Sequence, residues 1–190
     1  MTPQETKTPS ESLALALGGI RAILMDADGT LTDGGIYLDD AGAEFKRYDV
    51  RDGFALSMWH RAGGKSAVIT GRKGLALTHR MGELHIGAVE QGAADKVAAL
   101  DRVTARLGVT RKECVFVGDD LPDLAVMRMV GVAVAVADSP REILAVAAIT
   151  TSARGGHGAV RELIELILRA QGKWDGLVAK YASNTPTIIS

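Results

Sequence analysis

Ala22-Ile23-Leu24-Met25-Asp26-Ala27-Asp28-Gly29-Thr30-Leu31-Thr32 is the stretch that decides the fold. Four apolar residues run straight into two carboxylates, a glycine and a hydroxyl. A short unbroken apolar run bounded by turn residues fits a strand covered on both faces, and the acidic turn then lies at its carboxyl end. The pattern repeats outward along the chain. A run over 66–70 leads into Thr70-Gly71-Arg72, and one over 114–117 into Gly118-Asp119-Asp120-Leu121-Pro122-Asp123. Further strand-length runs occupy 86–89, 132–137 and 148–151. Between them the apolar spacing is helical: Val97, Leu100, Val103 and Leu107 share one face, as do Val160, Leu163, Ile164, Ile167 and Leu168. Ser139, Pro140 and Glu142 read as a helix start with Ser139 as the cap. Apolar strands alternating with helices predict an α/β fold, a Rossmann-like doubly wound parallel sheet. Such sheets bind ligands at the carboxyl ends of their strands.

One segment breaks this rhythm. Ile36-Tyr37-Leu38, the polar turn Asp39-Asp40-Ala41-Gly42, and Glu44-Phe45-Lys46-Arg47-Tyr48 read as a small β-hairpin, where a larger enzyme could insert a cap domain.

If the sheet is parallel, the groups after each strand meet on one edge, joined by Lys96 at the start of a helix. Crowded carboxylates cannot all ionise without a compensating charge, and oxygen donors with no Cys or His cluster favour Mg²⁺. Phosphate fits as the anion bridged to that ion. Asp26 is then the nucleophile that forms an acyl phosphate. Asp28 protonates the leaving alcohol and afterwards activates water. Thr70 bonds the phosphoryl oxygens and Lys96 neutralises charge on phosphate and nucleophile. Asp26, Asp28 and Asp119 hold the metal, with Asp123 in support.

Composition narrows the alternatives. The 190 residues suit one domain, and 47% hydrophobic content supplies an ordinary core. A net charge of −1 argues against a nucleic-acid platform, and the longest apolar run is far short of the roughly 20 residues a membrane span needs. The single cysteine, Cys114, makes no intrachain disulfide and reads as a buried, inert thiol, so a cytoplasmic location is expected. Residues 1–19 read as a loose leader without the features of a secretory signal, 20–175 as the folded domain, and 176–190 as a tail. His60, His79, His85 and His157 show no ligand spacing. The glycines of 155–158 read as a turn before the last helix, with a phosphate-cradling role the weaker alternative. Trp174 and Tyr181 are expected to meet a neighbouring subunit.

The order Asp-x-Asp-Gly-Thr, Thr70, Lys96, Gly-Asp-Asp-x-x-Asp resembles the haloacid dehalogenase superfamily. The intervals Asp28 to Thr70 and Thr70 to Lys96 are too short for a cap domain. Asp33-Gly34-Gly35-Ile36-Tyr37, Val50-Arg51-Asp52-Gly53, Ile69-Thr70-Gly71-Arg72-Lys73, Gly155-Gly156-His157-Gly158-Ala159-Val160-Arg161-Glu162 and Gln171-Gly172-Lys173 are similar to the capless 3-deoxy-D-manno-octulosonate 8-phosphate phosphatases, over about residues 20–175. That resemblance implies a homotetramer whose substrate is an acidic sugar phosphate made for lipopolysaccharide. It implies substrate contacts at Asp28, Asp49, Val50, Arg51, Asp52, Gly53, Arg72, Arg80 and Lys96. The guanidinium forks of Arg51, Arg72 and Arg80 suit the sugar's carboxylate. Asp49 stands where the family often has Asn or His, and Ser57 where it often has arginine. Both bear on the choice of sugar, so a phosphatase for nonulosonate 9-phosphates of the sialic-acid type is the near alternative. A non-catalytic oligomerisation or regulatory relative is the distant one, disfavoured because Asp26, Asp28, Lys96 and Asp119 are all retained.

Overall fold

In the computed structural model, which describes residues 11–183, the opening apolar run becomes β1 (Ala22–Met25), inside a six-stranded parallel sheet. The strand order is β5-β4-β1-β6-β7-β8, with β4 (Lys65–Thr70), β5 (Ala88–Gln91), β6 (Cys114–Gly118), β7 (Val132–Ala135) and β8 (Ile149–Thr150). Side chains alternate across the sheet. Ile23 and Met25 join one core layer with α1 (Glu11–Gly18), α2 (Val50–Arg61), α3 (Leu75–Glu83), α7 (Ala159–Ala170) and α8 (Trp174–Ala182). Ala22 and Leu24 face the other, with α4 (Lys96–Leu107), α5 (Leu124–Met127) and α6 (Arg141–Leu144). Both faces are covered, which is why the strands read as continuous apolar runs. Each buried aliphatic side chain contributes roughly 1.5–3 kcal/mol.

β1 lies between β4 and β6, with Met25 opposite Val68 and Val117. That register brings the residues following all three strands to one edge. α4 delivers Lys96 there: Asp95 caps the helix by accepting from the amides of Val97 and Ala98, and Gly108, at φ 62°, ends it in a left-handed turn.

The hairpin forms β2 (Tyr37–Leu38) and β3 (Glu44–Phe45), with the rings of Tyr37 and Phe45 stacked 5.5 Å apart. Asp39 organises its turn by accepting from the amides of Ala41 and Ala43. No cap domain interrupts the sheet among the described residues.

Four local expectations are corrected. The strand expected over 86–89 starts two residues later, because the Ile86 amide still bonds the Met81 carbonyl at the end of α3. The helix expected from Ser139 starts one residue later: Pro140 is the cap, extended at φ −67° and ψ 160°, and the buried Ser139 hydroxyl has no partner among the described residues. Within the segment read as a leader, residues 11–18 are helical and Leu17 is fully buried in the core. Part of the expected tail is likewise α8, whose Trp174 lies between the guanidinium groups of Arg161 and Arg169, at 5.0 and 5.1 Å. Trp174 is therefore used within the chain. Tyr181 accepts a hydrogen bond from Arg61 at 2.6 Å and meets the edge of Phe54.

Candidate active site

Asp26 extends β1 by one residue, its amide bonding the Val117 carbonyl at 3.0 Å. Asp119 follows β6 directly, so neighbouring parallel strands set the two carboxylates side by side. A 3-10 turn over Leu121–Asp123, capped by Asp120, brings Asp123 back beneath them, and its Oδ2 accepts from the Asp119 amide at 3.1 Å. Oxygens of Asp26, Asp119 and Asp123 all lie within 4.8 Å of one another. Lys96 reaches in from the first residue of α4, with Nζ 2.6 Å from Asp123 Oδ1 and 3.0 Å from Asp26 Oδ1.

The electrostatics follow from burial. Burial, then repulsion from Asp123, raises the Asp26 carboxyl to about 6 against the pull of Lys96. Burial, then Asp26 and Asp123, raises Asp119 to about 7. Burial by itself would lower Lys96, but the attached carboxylates outweigh it and hold the ammonium above its ordinary value. One lysine cannot neutralise three crowded carboxylates, and all the donors are hard oxygens. Gly29, at φ +84°, keeps the space open: a Cβ there would lie 2.1 Å from Asp119 Oδ2. The residues fit a Mg²⁺ ion.

The atoms divide the work. Both oxygens of Asp123 have protein donors, Lys96 and the Asp119 amide, as suits a supporting residue. Asp119 Oδ1 accepts from Thr30 Oγ1 at 3.0 Å. Asp26 Oδ1 accepts from the Ala27 amide at 2.7 Å and faces Lys96. Asp26 Oδ2 and Asp119 Oδ2 have no donor among the described residues.

Asp28 differs from its expected place among the metal carboxylates. It lies in the turn after β1, and its Oδ1 is 2.5 Å from Lys46 Nζ, its Oδ2 3.8 Å from Arg72 Nη1. Turning toward these two cations takes its side chain out of the acidic triad. Thr70 ends β4 at the same edge and is buried. Arg72 follows it and pairs with Glu44 at 2.6 Å.

The segment at the start of α2 is used largely within the chain. Asp49 caps α2 and grips Arg51 at 2.7 and 3.1 Å, and this bonding holds its carboxyl below the usual range. The anion expected to disturb the pocket is thus neutralised by the next cation. Arg51 also donates to the His157 carbonyl, and Val50 is exposed. Asp52 is buried and accepts from the amides of Gly158 and Arg161, so it caps α7 across the interior; burial raises it to about 6. Gly53 allows close approach of Arg80, whose Nη2 would be 2.5 Å from a Cβ there. Arg80 lies over the Tyr48 ring at 5.9 Å and pairs with Glu83. Burial first, then the Asp28 charge, raises the Tyr48 hydroxyl to about 12, and it has no partner among the described residues.

A family model described as haloacid dehalogenase-like hydrolase matches residues 75–163. The 3-deoxy-D-manno-octulosonate 8-phosphate phosphatase of Yersinia pestis is 40% identical over 157 residues, covering 83% of this chain and 84% of that protein. The chain belongs to this phosphatase family. Among solved structures, the 3-deoxy-D-manno-octulosonate 8-phosphate phosphatase of Moraxella catarrhalis, in complex with magnesium, phosphate and a KDO molecule, superposes with a TM-score of 0.87 at 37% identity, covering 90% of this chain and 99% of that one. The cobalt-bound enzyme from Haemophilus influenzae superposes at 0.81, with 35% identity and coverage of 84% and 93%. These octulosonate phosphatases share the parallel sheet without a cap domain. Membership of the family makes the chain a phosphoric monoester hydrolase.

Two features of this member escape sequence reasoning. In the sequence Glu44 and Lys46 are simply hairpin residues, yet in the fold they bond Arg72 and Asp28. Gly155 and Gly156 pack directly on the backbone of Gly29, Thr30 and Thr32 and brace the acidic loop, rather than merely forming a turn. Their adjacency to a glycine-rich acidic loop is visible only in three dimensions.

Proposed function

We propose that this protein hydrolyses 3-deoxy-D-manno-octulosonate 8-phosphate to the free sugar acid and inorganic phosphate through an aspartyl-phosphate on Asp26. The observation that carries the proposal is the convergence of Asp26, Asp119, Asp123 and Lys96 on one sheet edge, with an oxygen of Asp26 left open. A Mg²⁺ ion held by Asp26 and Asp119, with Asp123 behind them, would offset their charge and that of the phosphoryl oxygens.

The chain's own residues account for the remaining chemistry. Lys96 orients Asp26 by its Oδ1, so that Oδ2 faces phosphorus. The new Asp26 O–P bond forms as the bond from phosphorus to the sugar oxygen breaks, and Asp28 gives that oxygen its proton. Asp28, now a carboxylate, takes a proton from water, whose oxygen attacks phosphorus and frees Asp26 and phosphate. Thr70 and Lys96 bond the phosphoryl oxygens in both steps. Arg72 and Arg51 recognise the sugar's carboxylate; Asp49, Val50, Asp52, Gly53 and Arg80 shape the wall behind them.

The names of the relatives favour the octulosonate over the nonulosonate 9-phosphate. The proposal extends to a homotetramer in the cytoplasm. Ile36, Leu38 and Phe45 are exposed on the hairpin, apolar groups suited to a neighbouring copy that would also shelter the open cleft. No helix among the described residues is long and apolar enough to cross a membrane. Phosphate release with Mg²⁺ from the two sugar phosphates tests the reading. The octulosonate should show the higher kcat/KM, and preference for the nonulosonate, or inertness toward both, would overturn it.

A further inference from the structure

Lys46 is a cation beside Asp28 that the mechanism above does not use. It follows β3 directly, in the hairpin that stands in place of a cap, and its side chain is only 3% exposed. An ammonium so far removed from water has to be met by opposite charge. Two carboxylates meet it: Asp28 Oδ1 at 2.5 Å and Glu44 Oε1 at 3.4 Å. Arg72 closes the ring, 2.6 Å from Glu44 and 3.8 Å from Asp28 Oδ2. Two basic and two acidic side chains thus form a closed circuit that joins the hairpin, the end of β4 and the loop after β1.

Within this circuit the contacts are unequal. Arg72 is 46% exposed and its reach to Asp28 is long, whereas Lys46 is enclosed and close. Lys46 therefore fixes the Asp28 side chain, and it does so through Oδ1 alone. Oδ2, 3.8 Å from Arg72 Nη1, is left as the oxygen able to carry a proton to a leaving group. The geometry points to Lys46 as a positioning residue for the phosphatase reaction, holding Asp28 so that Oδ2 is aimed at the leaving oxygen. This inference rests on the roles proposed above for Asp26 and Asp28. It also makes the hairpin part of the catalytic apparatus, since displacement of β3 moves the lysine that orients the acid.

Leaving-group dependence tests it. A sugar alcohol departs poorly without a proton, whereas dinitrophenolate departs without one. Lys46→Met should lower the single-turnover rate with the sugar phosphate roughly tenfold to a hundredfold, part of what a general acid contributes. The burst of dinitrophenolate from dinitrophenyl phosphate should change less than about threefold, because a good leaving group needs little help from a general acid. Lys46→Arg should recover much of the sugar-phosphate rate. Lys46→Gln gives the same comparison should the methionine variant fold poorly, with circular dichroism confirming structure. Equal losses on both substrates, or no loss on the sugar phosphate, would overturn the role of Lys46. Failure of the underlying reading is distinguishable: wild-type protein would then give no dinitrophenolate burst, or Asp26→Asn would leave the burst intact.

Discussion

Asp26 and Asp119 are aspartates with carboxyls raised to about 6 and about 7, first by burial and then by neighbouring carboxylates, Asp123 beside Asp26 and both Asp26 and Asp123 beside Asp119. The unfolded chain loses these protons near pH 4, while the folded, metal-free protein keeps them longer. Between about pH 4 and 7 the native state holds more protons, so the metal-free protein loses stability as pH rises through that window. A divalent ion must displace those protons, and its binding strengthens over the same range. Thermal unfolding with excess Mg²⁺ and with chelator should show a wider gap in Tm at pH 7.5 than at pH 5.5; an equal gap would mean that the cluster does not hold the ion. The acid motifs were legible in the sequence because each follows a strand directly, and parallel strands bring such positions together. Lys46 and Glu44 were not legible in the same way: their partners depend on where the hairpin folds over the sheet edge. The same holds for Asp52, whose carboxylate reaches α7 through the interior.

Among elements, the loop after β1 depends on the glycine loop before α7. Gly155 allows that packing through space rather than torsion, since a Cβ there would lie 1.6 Å from the Gly29 carbonyl oxygen and 3.2 Å from the Thr30 amide nitrogen. Backbone cannot yield as a side-chain tip can. Gly155→Ala should cost about 2–4 kcal/mol in urea unfolding and reduce kcat/KM by displacing Asp28 and Thr30. Gly176→Ala in α8, where a Cβ meets nothing within 4 Å, is the control and should be neutral or stabilising by up to about 1 kcal/mol. If the two variants behave alike, the bracing role of Gly155 is wrong. The long helices α4 and α7 and the six strands were readable from apolar spacing, with β5 displaced by two residues. The helix α1 was not, because eight residues gain little from propensity and depend on Leu17 burying against α7.

For the whole molecule, a two-faced parallel sheet gathers distant residues onto one edge, and a hairpin takes the place of a cap. The apolar runs made the sheet legible, and the acidic residues after them made its edge legible as a catalytic site. How that edge is roofed depends on charge pairs across the hairpin, which have no local sequence period. On the proposed mechanism this edge makes Asp26 a covalent phosphate carrier. Rapid acid quenching of wild-type protein with Mg²⁺ and dinitrophenyl phosphate, followed by peptide mapping by mass spectrometry, tests it most directly. A hydroxylamine-labile phosphate should appear on Asp26 within the first turnover and be absent in Asp26→Asn; a phosphate on another residue, or turnover with none on the protein, would rule out Asp26 as the carrier.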